Sequence, residues 1–331
     1  MSINRKILVI GGAGYVGTVL VNELLDLGHN VTSYDLMMYG EHFNLNKNLK
    51  SIKGDIRDLE NLEKYVQNQD CIIHLACISN DPSFELNPAL GKSINFDCFE
   101  PLVKIAKKHL VKKFIYASSS SVYGVKNEKD VTEDKSLEPL TDYSKFKVLC
   151  EKVLLRYRSD EFETVVIRPA TVCGYSPRQR LDVIVNIFVN HAFNNKKIKI
   201  FGGSQLRPNI HIKDMVQVYL DLLNIDTRSL VDPVYNVGFE NHKIQDIAKI
   251  VQDCFEKRND TIEIIFEETD DLRSYHIDSS KIKRELNFLP KKNIKDAVED
   301  LIEAFENKKL INSMDDIKYF NIKQMNYLNI K

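Results

Sequence analysis

Gly11-Gly12-Ala13-Gly14-Tyr15-Val16-Gly17 joins a strand-like run, Lys6–Ile10, to a helical pattern that opens near Val16. By itself a glycine-rich run signals little more than a tight turn. A glycine turn between a strand and a helix can also press bare backbone against a ligand. Gly11, Gly14 and Gly17 are spaced for that, and the helix start at Tyr15 and Val16 offers unpaired N–H groups and a partial positive charge to a diphosphate. Asn30–Asp35 reads as the second strand, and Asp35 ends it about twenty residues beyond the glycines, where an acid can hold the adenosine ribose hydroxyls. A carboxylate there repels a 2′-phosphate, so the expected cofactor is NAD rather than NADP.

The first half of the chain keeps this alternation. Apolar, β-branched runs recur at Ser51–Lys53, Cys71–Leu75, Lys113–Ser118 and Thr164–Arg168. Helical patterns lie between them at Val16–Leu27, Leu59–Val66, Ser93–His109 and Tyr143–Arg158. Short continuous apolar strands, each followed by an amphipathic helix, are how a parallel sheet covered on both faces reads. The expected fold is therefore α/β, a doubly wound parallel sheet of the Rossmann kind, with its ligand at the carboxyl ends of the strands.

After Pro169 the rhythm changes. Thr171–Arg180 reads as a loop, Val183–Phe193 as a helix and Lys197–Phe201 as a strand. Ile212–Leu223 and Pro233–Gly238 read as a helix and strand returning to the main sheet. Lys243–Arg258, Thr261–Phe266, Ser279–Leu286 and Ile294–Asn307 then make a smaller mixed α/β lobe. The expected division is a dinucleotide-binding domain over 1–170, completed by about 212–238, and a second lobe over 171–211 and 239–307. The polar tail, 308–331, is expected to pack loosely or fray.

Composition excludes several classes. With 46 basic and 47 acidic residues among 331, the net charge of −1 creates no field to gather nucleic acid or an anionic membrane. The first residues do not resemble a signal peptide, and no apolar run is long enough to span a bilayer. The six cysteines, Cys71, Cys77, Cys98, Cys150, Cys173 and Cys254, are scattered without a Cys-x-x-Cys pair. They read as small apolar residues of a reducing cytoplasm rather than as metal ligands or disulfides. No metal site is expected.

The chemistry gathers at two places. The fifth strand ends in Ser118-Ser119-Ser120-Ser121, and Tyr143 and Lys147 stand four residues apart at a helix start, on one face. An ammonium beside a phenol favours the phenolate, and a nicotinamide cation would push the same way. Tyr143 can then take a proton from a sugar hydroxyl while hydride leaves the same carbon for the cofactor. A serine at the strand end can hold that oxygen in line.

With these motifs in order the chain resembles the extended short-chain dehydrogenase/reductases, of the NAD-dependent nucleotide-sugar epimerase/dehydratase type. The resemblance runs from Lys6 to Asn307. It includes Gly54-Asp55-Ile56-Arg57-Asp58, His74-Leu75-Ala76, Asn95, Arg168-Pro169 and Arg207-Pro208-Asn209-Ile210-His211. It implies that Asp55 and Ile56 hold the adenine and that Leu75 and Ala76 line the dinucleotide path. It also places Asn95 and Pro169 on the cofactor, and Lys147 on the nicotinamide ribose. Counting back from Val122-Tyr123-Gly124, the family's catalytic hydroxyl falls on Ser119.

For a nucleoside diphosphate the resemblance implies Thr171, Asn186 and Arg207, whose guanidinium fork suits two phosphate oxygens. Arg178 and Arg180, in the loop after the sixth strand, could also reach phosphate or sugar. There are two departures. Where the galactose 4-epimerases carry a second phosphate-binding arginine, counting back from Asp278-Ser279-Ser280-Lys281 gives Glu268, with Arg273 the nearest arginine. This leaves the base open among UDP, GDP, CDP and dTDP. The family's 4,6-dehydratases carry an acid directly after the catalytic hydroxyl residue, where this chain has Ser120 and Ser121. Dehydration is therefore ranked behind the leading reading.

That reading is NAD-dependent oxidation of a nucleotide-diphosphate sugar at C4, by a 4-epimerase or a C4 dehydrogenase in surface-polysaccharide sugar biosynthesis. The alternatives are a 4,6-dehydratase or reductase and, from another class, a non-catalytic NAD-binding sensor. The helix at Tyr143–Arg158 carries apolar residues beyond a single stripe. Paired with Ser93–His109 around a two-fold axis, it is expected to build a homodimer.

Overall fold

The computed structural model describes residues 4–126, 128, 130–269, 274 and 276–330. Its main sheet is built from β1 (Lys6–Ile10), β2 (Asn30–Asp35), β3 (Leu49–Lys53), β4 (Cys71–His74), β5 (Lys113–Ala117) and β6 (Glu163–Pro169). β7 (Thr171–Cys173), β8 (Lys197–Phe201) and β9 (Leu206–His211) lie outside it, and β10 (Val234–Val237) closes its edge. The seven strands run in the order β10-β6-β5-β4-β1-β2-β3, each pairing parallel. The chain winds outward from β1 to β3, then restarts at β4 on the other side of β1. The crevice at the carboxyl ends of β1 and β4 is thus the switch point where such sheets bind ligands.

β1 shows why this sheet is covered on both faces. Ile7 and Val9 point into one apolar cluster and Leu8 and Ile10 into the other, all four fully buried. On the first face lie α1 (Tyr15–Asp26) and, later in the chain, the helix Ile212–Asn224. On the second lie α2 (Leu59–Val66) and two further helices, described next. Between β4 and β5 run α3 (Asp81–Glu85), α4 (Pro88–Lys92), a π-helical turn over Ser93–Asp97 and α5 (Phe99–Lys108). The expected single helix Ser93–His109 is therefore broken at its start. The π turn carries Asn95, whose amide pairs with both the N–H and the C=O of Ile78. α6 (Asp142–Arg156) begins with a capping box between Thr141 and Ser144.

The remaining helices are α7 (Ile184–Asn195), α8 (Ile212–Asn224), α9 (Ile244–Glu256), α10 (Ser280–Leu286), α11 (Ile294–Glu306) and α12 (Asn321–Leu328). α7, α9 and α11 pack around a third apolar cluster. Beside it, β8 pairs with β12 (Glu263–Glu267), and β9 lies between β7 and β11 (Glu240–Lys243). β9 and β11 escape a pattern reading. Pro208 interrupts β9, and β11 is polar throughout, Glu-Asn-His-Lys.

The tail departs from expectation. It is not frayed: Ile317–Tyr319 forms a 3₁₀ turn and α12 folds back onto the main sheet's open end. Gln324 Nε2 donates to Met38 O at 2.7 Å, and Met325 is buried. An eight-residue helix shows too little periodicity to announce itself. What holds it are partners far away in sequence. Among the described residues no helix is long and apolar enough to cross a membrane.

Candidate active site

A cavity of about 550 Å³ opens at the switch point, running from the glycine turn to the start of α6. Gly11 has φ +86°, and a Cβ there would lie 2.5 Å from the Ala76 backbone nitrogen. A Cβ on Gly17 would lie 2.3 Å from Gly11 O. The turn therefore needs glycine both for its own shape and for its approach to the strand beside it. Gly14 caps α1 with no side-chain hydrogen bond, and Tyr15, Val16 and Gly17, whose N–H groups open the helix, line the cavity. Bare backbone, an uncapped helix start and a cavity of this length fit a dinucleotide.

Asp35 lines the same end. Its Oδ2 accepts from Ala13 N at 3.0 Å and its Oδ1 from Met37 N at 2.8 Å, pinning the glycine turn to β2. Burial raises its pKa, while those two bonds and the charge of Arg178 act against the rise. Each oxygen keeps a lone pair for a ribose hydroxyl. Replacing Asp35 by Ala is expected to weaken NAD and to narrow its preference over NADP. Dissociation constants for both cofactors check this, and an unchanged ratio would show that the carboxylate does not face the ribose.

Ile56, Leu75, Ala76 and Pro169 also line the cavity. Asp55 does not: Arg57 takes its carboxylate, with Nη2 2.6 Å from Oδ2. Asn95 is likewise off the wall, spent on Ile78, which does line it.

At the other end Tyr143 and Lys147 share the inner face of α6. The Lys147 ammonium donates to Ala117 O at 2.6 Å and stands 5.7 Å from the Tyr143 ring centre. Burial pushes the Tyr143 phenol well above its ordinary value. Cys77 and Asp81 push the same way, while a hydrogen bond with Ser119 and the charge of Arg180 pull it back. The site thus opposes the phenolate by burial and favours it through Ser119 and the nearby cation Arg180. Ser119 Oγ lies 2.9 Å from Ser121 Oγ and at the cavity wall. Its neighbour Ser118 instead donates to Glu151, which pairs with Arg168 behind the site.

The residues expected on a nucleoside diphosphate divide. Thr171 and Arg207 line the cavity. Asn186 is fully buried beside it, its amide committed to Gly174 N, Tyr15 OH and Arg180 O. Arg178 lines the cavity at the Asp35 end, its guanidinium 3.6 Å from the Tyr39 ring centre. Arg180 pairs with Asp182, Nε to Oδ1 at 2.8 Å, and its charge reaches Tyr143. Arg273 lies outside the described residues, and Glu268 is exposed.

Some wall residues carried no sequence signal. Asp81 accepts from Thr141 Oγ1 at the cap of α6, and its charge reaches Tyr143. Cys77, Asn321 and Met325 also line the cavity. The loop after β4 and the C-terminal helix bring them in, and neither has a motif. Among the described residues no group of three or more His, Cys, Asp or Glu could hold a metal ion.

The chain is similar to proteins that work on nucleotide sugars. It is 31% identical over 309 residues to the uncharacterized UDP-glucose epimerase YtcB of Bacillus subtilis, covering 88% of this chain and 95% of that protein. It is 26% identical over 305 residues to the dTDP-glucose 4,6-dehydratase of Streptomyces griseus, covering 88% and 91%. The UDP-N-acetylglucosamine 4-epimerase of Methanobrevibacter ruminantium superposes with a TM-score of 0.81 at 25% identity, over 91% of this chain and 99% of that one. The model of one family matches residues 7–238, a stretch that holds the glycine turn, Asp35, Ser119, Tyr143 and Lys147, and by that match the chain belongs to the NAD dependent epimerase/dehydratase family.

Proposed function

We propose that this chain oxidises a nucleotide-diphosphate sugar at C4, using NAD, as a 4-epimerase or a C4 dehydrogenase. The observation that carries this reading is that Ser119, Tyr143 and Lys147 meet on one wall of the cavity whose far end holds the glycine turn and Asp35. NAD supplies a hydride acceptor and, at its nicotinamide, a positive charge. Ser119 holds the C4 oxygen, and Tyr143 takes its proton. Lys147 keeps the Tyr143 oxygen in a cationic setting while anchored to Ala117. Arg207 and Arg180 supply guanidinium groups for the substrate diphosphate, with Thr171 beside them. In this division the seven-stranded sheet holds the cofactor, and the part built on α7, α9 and α11 holds the nucleotide sugar.

Incubation with NAD and a panel of UDP-, GDP-, CDP- and dTDP-sugars tests the reading. An epimerised sugar without net NADH supports the 4-epimerase, and net NADH supports the dehydrogenase. Tight NAD binding without turnover of any sugar favours the non-catalytic sensor. A second reading, 4,6-dehydration, gains support from Asp81, an acid on the cavity wall near Tyr143 where Ser120 and Ser121 offer none. A 4-keto-6-deoxy product would identify it.

The same reading includes a homodimer through α5 and α6. Leu149 on α6 is 39% exposed, and Phe146, only partly buried, stacks on Phe96 with ring centres 5.3 Å apart. Light scattering at micromolar concentration should give twice 38.2 kDa. A fully active monomer contradicts the pairing.

A further inference from the structure

Arg178 is a buried cation with unused capacity. It is 3% exposed and lines the cavity, and its Nε and Nη1 have no hydrogen-bond partner. Its Nη2 donates to Asn321 Oδ1 at 2.7 Å, and its face lies over Tyr39. Burial pushes its pKa down to about 10, which leaves it charged at neutral pH. A buried charge with open donors is costly unless an anion meets it.

Its neighbours say which anion. Asp35 and Tyr15 both feel its charge, and these residues flank the glycine turn and the open start of α1. That helix start is itself suited to phosphate, and it lines the same cavity as the Arg178 guanidinium. The loop that carries Arg178 is tied to this helix start, Ser176 Oγ donating to Tyr15 O at 2.8 Å, whereas Arg180 is already paired with Asp182.

Asn321 explains why Arg178 stays there. Its backbone N–H donates to Asp182 Oδ2 at 2.8 Å, and its Nδ2 donates to Ser79 Oγ at 2.9 Å. Three residues on, Gln324 holds Met38 O in the loop after β2. α12 thus fastens together three loops around the cavity: those after β2, β4 and β7.

We infer that Arg178 binds the diphosphate of the dinucleotide cofactor rather than the substrate, and that α12, through Asn321, positions it and so sets how long the cofactor stays bound. This rests on the NAD-dependent reading above.

Nucleotide-free protein titrated with ADP, adenosine and UDP tests it, because ADP carries the diphosphate, adenosine lacks it and UDP reports the substrate side. Arg178→Gln is expected to weaken ADP by about 10- to 100-fold, the range for a lost charge-assisted bond, and to leave adenosine and UDP unchanged. Arg178→Lys, which keeps the charge but loses the fork, guards against misfolding and should weaken ADP by about 3- to 10-fold. Asn321→Ala should weaken ADP and speed NAD release, yet add nothing in the Arg178→Gln background, a result that a merely structural asparagine would not give. Equal losses for adenosine and ADP, or a loss for UDP alone, overturn the inference. Wild-type protein that binds neither NAD nor ADP overturns the functional reading and this inference together. Wild-type binding of ADP that is indifferent to Arg178→Gln overturns this inference alone.

Discussion

Tyr143→Phe is expected to cut turnover by about 10²- to 10⁴-fold while fold and NAD affinity stay nearly unchanged. The ring packs in the cluster that α6 shares with the sheet, and phenylalanine fills the same space. What disappears is the oxygen proposed to take the C4 hydroxyl proton. Burial, with Cys77 and Asp81, already opposes the phenolate. Removal of Lys147, whose ammonium stands 5.7 Å from the ring centre, should act in the same direction by taking away a charge that favours it. Steady-state rates, with NAD titration as the control, check the prediction. Retention of a third of wild-type turnover would remove Tyr143 from the proposed role.

Glu151→Ala is expected to cost about 3–5 kcal/mol of stability, the range for breaking a buried ion pair from one side. Arg168 Nη2 lies 2.7 Å from Glu151 Oε2, and Arg168 Nε bonds to both carboxylate oxygens. The two residues are 5% and 2% exposed, so the substitution leaves a guanidinium uncompensated in the core. Its other hydrogen-bond partners, Tyr123 OH at 2.7 Å and the Glu133 backbone oxygen at 3.4 Å from Nη1, carry no charge to balance it. The pair also braces α6 against the ends of β5 and β6, one turn beyond Lys147, and Ser118 joins it from β5's end. Activity should therefore fall along with stability. Replacing both partners with apolar residues should recover most of the stability, because no orphaned charge remains. Equilibrium denaturation measures both variants. A loss below about 1 kcal/mol for Glu151→Ala would show that water reaches Arg168.

Much of this was legible in the sequence, for physical reasons. Strands buried on both faces are continuous apolar runs, so β1 and β4 to β6 show themselves, β2 is marked by Asp35 at its end, and the glycine turn marks where the chain must pass close to Ala76. Tyr143 and Lys147 are legible because helical spacing alone puts them on one face. β9 and β11 are hidden by Pro208 and by polar side chains, and α12 by its shortness. Motif position is also a weaker guide than contact. Asn95 and Asn186 occupy positions associated with ligands, yet their amides are spent on Ile78 and on Gly174 with its neighbours. Asp81 and Asn321 show the reverse. No local pattern marks them, because tertiary folding brings their loops to the cavity.

The hydrogen on sugar C4 gives the most direct test. UDP-, GDP-, CDP- and dTDP-sugars carrying deuterium at C4 are turned over by the NAD-loaded enzyme beside their unlabelled forms, with the label located in the product. C4 oxidation with Tyr143 as base predicts, for at least one nucleotide sugar, slower turnover of the labelled form and a changed C4 centre, both abolished by Tyr143→Phe. Turnover that leaves the C4–deuterium bond intact, with no rate difference between the two forms, would contradict it.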